Sequence, residues 1–252
     1  MMNAKPALYT CLSPSLLHLY DVSKSIVVVI DVLRATSTIA TALYNGARCV
    51  IPVDSVSRCI ELGKQIDGIT AGERDGKVAE GLEYGNSSFE YPKEFISNKT
   101  LVLTTTNGTR LLHMALEKGA SEIITGSFPN LSAICNHLIE QNRPVILGCA
   151  AWKDRINIED TLFAGAVISR IKDQFSLNCD ASHIAETLYH EAKHDLFEFM
   201  KKNDASHYHR LMDFGLEDDI RYCLTPDVAN ILPEYLDGKL VVKREITQQK
   251  NR

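Results

Sequence analysis

Short apolar runs rich in β-branched residues recur along the chain at 25–31, 49–53, 69–72, 100–104, 122–125 and 144–148. Each is too short for a stable helix and is closed by a glycine, a hydroxyl or a carboxylate, which predicts strands. Between them apolar residues return at three- and four-residue intervals over 36–45, 57–66, 109–117, 131–141 and 161–173, which predicts helices, with Gly46, Gly119 and Gly126 as punctuation. A chain that alternates strand and helix in this way builds a mostly parallel sheet with helices on both faces, because each crossover must pass over the sheet. The predicted fold class is therefore α/β, in three α/β/α layers. A weaker strand is expected first, over 7–11, and another last, over 239–244.

From about 182 to 225 the pattern turns helical and more polar, and carries His183, His190, His194, His207 and His209. No Gly/Ser/Pro-rich linker or internal repeat sets this stretch apart, so residues 1–252 are expected to form a single domain with a helical excursion. His190 and His194 have the four-residue spacing of zinc ligands on a helix. Without HExxH or a third placed ligand, a solvated helix face accounts for them better.

Composition narrows the partners. At 252 residues, 45% hydrophobic and 23% charged, the chain can bury a substantial core. No stretch approaches the ~20 apolar residues of a membrane span, and the first residues lack the basic-then-apolar pattern of a secretory signal, so neither membrane nor export is expected. Seven cysteines without a CxxC pair argue against a disulfide framework or a structural zinc site and suit a reducing cytoplasm. A net charge of −5 with no basic stripe argues against nucleic acid. A negative protein that binds an anion must gather positive charge locally, which makes isolated arginines beside turns informative. Whether the chain forms a homo-oligomer is left open.

In open parallel sheets, ligands bind beyond the carboxyl ends of the strands, where loops converge and helix N-termini offer free N–H groups. Four strand exits carry unusual polar residues. In the first, VVVIDVLRATST, an apolar run ends in Asp31, then Arg34, then the hydroxyls of Thr36, Ser37 and Thr38. Asp31 suits a Mg²⁺ ligand or a nucleophile toward phosphorus, and Arg34 suits an anion; a helix cap beside a surface arginine is the plainer alternative. In the second, Ala71-Gly72-Glu73-Arg74-Asp75-Gly76 predicts a tight turn that brings Glu73 to a metal and Arg74 to an anion, or simply a charged surface turn. Asn86 and Ser87 follow, able to donate to an oxyanion or to cap the next segment. In the third, Thr104-Thr105-Thr106-Asn107-Gly108-Thr109-Arg110, Gly108 lets the backbone approach a ligand while amides around Thr109 point at it, which suits phosphate, sulfonate or carboxylate. No GxxxxGK or GxGxxG occurs, so ATP and NAD recede. In the fourth, Cys149 ends a strand and Glu159 and Asp160 open a helix. A thiolate there could attack, but buried packing is commoner, and Cys149 is expected to line the site; the two acids suit a helix N-terminus or a metal.

Taken in order, VVIDVLRATSTI, AGERDG, GNS, TTNGT and CAAW followed by EDTLFAGA resemble the 2-phosphosulfolactate phosphatase family of coenzyme M biosynthesis, over about 25–166, with a weaker match near 219–227. Ser88 stands where the family commonly has proline after GNS. The resemblance implies an α/β/α fold and Mg²⁺-dependent hydrolysis of (2R)-2-phospho-3-sulfolactate to 3-sulfolactate and phosphate. It carries the residues that follow, Thr36 excepted, as pocket candidates, and their roles are read from their chemistry: Asp31, Glu73, Arg74, Cys149 and Glu159 are the catalytic candidates. Arg34, Thr36, Asn86, Ser87, Asn107, Gly108 and Thr109 are assigned to the substrate, a small anionic phosphoester, and Asp31, Glu73 and Asp160 to Mg²⁺. The DxDxT pattern of aspartyl-phosphate phosphatases is absent, because Leu33 occupies the second acid's place. That favours water activated by the metal as nucleophile, with Asp31 as the rival. A broader phosphatase of 2-phospho hydroxyacids and a non-catalytic organic-anion sensor remain as alternatives.

Overall fold

The computed structural model describes residues 4–74, 77–105 and 107–243. Its strands are β1 (Leu8–Cys11), β2 (Ile26–Ile30), β3 (Cys49–Val53), β4 (Ile69–Arg74), β5 (Lys77–Val78), β6 (Thr100–Thr104), β7 (Glu122–Gly126), β8 (Val145–Cys149), β9 (Pro233–Leu236) and β10 (Lys239–Val242). Its helices are α1 (Ala35–Tyr44), α2 (Val56–Ile66), α3 (Lys93–Ile96), α4 (Gly108–Glu117), α5 (Leu131–Gln141), α6 (Ile158–Ile171), α7 (Asp180–Ala192), α8 (Leu196–Lys202), α9 (Ser206–Asp213) and α10 (Glu217–Cys223). All the strands join one sheet in the order β1-β8-β2-β7-β9-β10-β3-β6-β4-β5.

The parallel pairing falls into two blocks, β1-β8-β2-β7 and β3-β6-β4, with the hairpin β9-β10 between them. The hairpin joins each block through one residue pair, Ile124 with Glu234 and Val50 with Leu240, both antiparallel. An ion-pair network secures this junction. Glu122 receives hydrogen bonds from His137 at 2.7 Å, Arg143 at 2.9 Å and Lys243 at 2.7 Å, and Lys243 also reaches Glu234 at 2.9 Å. Burial works to raise the Glu122 carboxyl, but the bonds from His137 and Lys243 outweigh it and hold the group down at about 2.

Two-sided burial follows from strand periodicity. Ile26, Val28 and Ile30 enter a core with α5, α6 and α7, whereas Val27 and Val29 enter another with Leu111, Leu112 and Ala115 of α4. This alternation is why β2 reads as a continuous apolar run. Likewise Leu101 and Leu103 of β6 pack with Ile39, Ala42 and Leu43 of α1, while Val102 turns to Cys59 of α2. The helical excursion is fastened by α6 against α7. Their approach depends on Gly165, where a Cβ would stand 2.0 Å from the Ala185 carbonyl oxygen and 2.7 Å from Tyr189 Cβ. Gly165→Ala should therefore lower stability by about 1–3 kcal/mol, seen as a lower urea midpoint.

The strand and helix expectations hold to within a few residues, with three differences. β4 runs through Glu73 and Arg74 before pairing back with β5, so these two residues end a strand instead of making a tight turn; Asp75 and Gly76 lie outside the described residues. The strand β9 was not expected, since Pro233–Leu236 lacks a β-branched run and is drawn into the sheet by its neighbours. The last strand stops at Val242, and Arg244 is outside the described residues. Among the described residues no helix is long and apolar enough to cross a membrane. All the cysteines are free thiols.

Candidate active site

Asp31 immediately follows β2 and is 9% exposed. The three hydroxyls behind it are local fasteners. Thr36 Oγ1 donates to the Asp31 carbonyl at 2.8 Å and accepts the Asp31 N–H at 3.1 Å. Ser37 donates to the Val32 carbonyl at 2.8 Å, and Thr38 to the Asn86 carbonyl at 3.0 Å. Thr36, expected at the substrate, is thus spent on the backbone that aims Asp31, and it is 1% exposed.

The turn opening α4 meets Asp31 from the second parallel block. Gly108 N–H donates to Asp31 Oδ2 at 3.0 Å, and a Cβ on Gly108 would stand 3.0 Å from that oxygen. Glycine is needed here for close approach, and its amide binds the protein's own carboxylate. Thr109 shares a hydrogen bond with Thr105 at 3.2 Å. Asn107 and Thr105 line a cleft of about 220 Å³ together with Asp31, Leu33, Arg34, Glu73 and Asn86. Thr106 lies outside the described residues.

Around this cleft, charges are paired or buried. Arg34 Nη1 meets Asp219 Oδ1 of α10 at 2.7 Å, with both side chains almost wholly buried. Asp160 Oδ1 accepts the Val32 N–H at 2.9 Å and its Oδ2 accepts the Ala151 N–H at 3.2 Å, so it ties two strand exits together from behind. Burial, with the charges of Glu159 and Asp31, pushes the Asp160 carboxyl well above the usual carboxylate range. Glu159, 1% exposed, pairs with His207 Nδ1 at 2.6 Å. Burial pushes the Asp31 carboxyl up to about 6; the positive field of His207 opposes the rise, while Glu73 and Glu159 add to it.

The far wall comes from the helical excursion and the loop after β8. His207, Arg210, Leu211 and Asp213 of α9, followed by Phe214, line the cleft together with Trp152 and Lys153. The Arg210 guanidinium lies 3.9 Å from the centroid of the Trp152 ring, and Lys153 Nζ lies 4.5 Å from it, both in cation–π range. Positive φ angles at Ala151 (57°), Lys153 (51°) and Asp154 (62°) turn this loop tightly, and Asp154 is held by Arg110 at 2.8 Å.

A family model described as 2-phosphosulpholactate phosphatase matches residues 11–238. The chain belongs to this family. It is 43% identical over 217 residues to a probable 2-phosphosulfolactate phosphatase of Thermotoga maritima, covering 86% of this chain and 91% of that protein. A probable 2-phosphosulfolactate phosphatase of Caldanaerobacter subterraneus subsp. tengcongensis is 40% identical over 224 residues, 86% of this chain and 90% of the relative. One of Clostridium acetobutylicum is 36% identical over 218 residues, with coverages of 85% and 91%.

Of the residues that the family resemblance singled out, the structure brings Asp31, Arg34, Glu73, Asn86 and Asn107 onto one cleft. Others stand behind it or apart. Arg74 donates to the Glu73 carbonyl and to Thr104 Oγ1 at 3.3 Å and is not part of the cleft wall; successive residues of a strand face opposite ways, and Glu73 is the one that reaches the cleft. Ser87 caps the turn Ser88–Glu90, its oxygen accepting the Phe89 N–H at 3.3 Å while Glu90 accepts the Ser87 N–H at 2.9 Å. Local capping has claimed Ser87 and left Asn86 with a buried Oδ1 that has no partner among the described residues. Cys149 and Arg155 have the C-x5-R spacing of a cysteine-phosphatase loop, but Cys149 is 0% exposed and burial pushes its thiol well above the ordinary value. A thiol held protonated inside the core is not a nucleophile, so Cys149 packs and does not attack.

The metal expectation is narrowed too. Among the described residues no group of three His, Cys, Asp or Glu side chains is arranged to hold a cation, and both Asp160 oxygens accept backbone amides. Asp31 and Glu73 remain, facing one cleft. Two carboxylates, with water and a phosphate completing the shell, fit the habit of Mg²⁺.

Sequence reasoning missed His207, Arg210, Trp152, Lys153 and Asp219 as site residues. On α9, Tyr208 and Leu211 are the buried anchors, and His207 and Arg210 repeat the same three-residue step one position earlier. That spacing was the available signal within the histidine cluster. His190 is instead a half-exposed side chain 3.6 Å from Glu186, and His194 lies exposed beyond the end of α7.

Proposed function

We propose that this protein is a Mg²⁺-dependent phosphatase that hydrolyses (2R)-2-phospho-3-sulfolactate to 3-sulfolactate and phosphate. The observation that carries the proposal is the charge pattern of one cleft. Acids at Asp31 and Glu73, with Asp213 of α9, share the lining with cations at Arg34, Lys153 and Arg210. A pocket for anions alone gains nothing from acids such as Asp31 and Glu73, whereas a cation between acid and phosphate makes them favourable. The buried Asp31 carboxyl, raised further by the charges of Glu73 and Glu159, supports the same reading.

Asp31 and Glu73 would hold Mg²⁺, which when bound supplies charge neutralisation at the phosphoryl oxygens. Arg34, fixed by Asp219, presents a guanidinium edge to the phosphate. Lys153 and Arg210, propped on Trp152, suit the carboxylate and sulfonate at the other end of a three-carbon substrate. Asn86 and Asn107 orient the ester between them, and water is the nucleophile. Chelation by EDTA is expected to lower phosphate release about 100-fold or more, with recovery on adding Mg²⁺. Full turnover in chelator would remove the metal from the account.

A further inference from the structure

His207 and Glu159 form a dyad whose form matches a proton carrier. Glu159 sits in the first turn of α6 and is 1% exposed, while His207 begins α9 and lines the cleft with Asp31. The Nδ1 to Oε1 distance is 2.6 Å. A buried carboxylate on Nδ1 fixes the ring's rotation and makes Nδ1 the donor, which leaves Nε2 for whatever enters the cleft. His207 and Asp31 line the same cleft, so the imidazole and the proposed reacting end share one space. Arg34 and Arg210 carry guanidinium groups, which do not give up protons in proteins.

We propose that His207, oriented by Glu159, is the general acid that protonates the leaving oxygen of the substrate. This rests on the phosphatase reading above. The water oxygen forms the new P–O bond as the P–O bond to carbon 2 of the substrate breaks. The electron pair of the broken bond stays on the ester oxygen, which takes the proton from Nε2 and leaves as the 2-hydroxyl of sulfolactate. One water proton remains on hydrogen phosphate and the other passes to solvent, which returns a proton to Nε2 for the next turnover. An alkoxide is a poor leaving group, so the proton matters; a nitrophenolate leaves without one. Glu159 is a positioning residue in this scheme and does not touch the substrate.

The test compares His207→Gln with wild type, both with Mg²⁺, on (2R)-2-phospho-3-sulfolactate and on 4-nitrophenyl phosphate. Phosphoenolpyruvate, whose enolate also leaves without a proton on oxygen, replaces the aryl ester if the ring proves too wide for the cleft. Turnover of the alkyl ester is expected to fall about 100- to 1,000-fold and that of the good leaving group less than about 5-fold. Glu159→Gln should show the same selectivity at about a tenth of the size. An equal loss on both esters, or no loss on the alkyl ester, would overturn the role of His207 while leaving the phosphatase intact. If wild type released phosphate from none of the esters, the phosphatase reading itself would fail.

Discussion

The Asp31→Asn protein is expected to release phosphate about 1,000-fold more slowly than wild type or worse, and yet to be the more stable protein when free of metal. Both effects come from one carboxylate. Asp31 is held by Gly108 N–H at 3.0 Å and shares its cleft with Glu73, so replacing it removes the charge around which the proposed site is organised. The same charge is expensive in the fold alone. A carboxyl whose folded value is about 6, against an ordinary 3.8, favours folding in its protonated form. That stability is fully present below about pH 4 and lost as pH rises through 6, which at neutral pH amounts to about 3 kcal/mol. Asparagine, neutral at every pH and still able to accept from Gly108, escapes the cost. The metal-free variant should therefore melt above wild type at pH 7.5, by about 6–10 °C, and match it at pH 4. Mg²⁺ should narrow the gap by stabilising only the wild type.

The second large effect is expected at Asp219, outside the cleft. Arg34 is 6% exposed and its Nη1 is 2.7 Å from Asp219 Oδ1. Asp219→Ala leaves a buried guanidinium without its counter-charge, which costs about 3–5 kcal/mol and lowers the melting temperature by about 6–15 °C. A joint Arg34→Met, Asp219→Leu replacement should recover most of that stability, since two apolar groups in the same space need no compensation. It should recover no activity, because the guanidinium proposed to meet the phosphate is gone. Thermal unfolding beside a phosphate-release assay separates the two: activity restored along with stability would show that Arg34 serves only the fold.

The parts of the molecule that were legible in the sequence are those fixed by local chemistry. Val27 to Ile30 form a strand because β-branched residues on both faces are buried, and Asp31 marks its exit. β3, β6 and α5 have the bounds their patterns predict. What was illegible is non-local. The hairpin β9-β10 joins the parallel blocks through a single residue pair on each side, a junction that no pattern within 233–242 foretells. The α9 part of the cleft's far wall reaches Asp31 from more than 170 positions along the chain, on a short helix whose polar face resembles any solvated one. Thr36, Gly108 and Asp160 were recognised as belonging to the site but misassigned within it. Each makes a backbone bond that shapes Asp31 or its loop, and a sequence motif records a polar residue at a strand exit without recording which way it faces.

The most direct test of the central claim is phosphate release by the wild-type protein with Mg²⁺, measured side by side on (2R)-2-phospho-3-sulfolactate and 2-phospholactate. The cleft predicts turnover of the sulfonate ester with kcat/KM at least about tenfold above phospholactate, because Lys153 and Arg210 line the cleft and favour a substrate with a further negative group. Comparable turnover of both esters would make the protein a broader phosphatase of 2-phospho hydroxyacids, and release from neither would contradict the account.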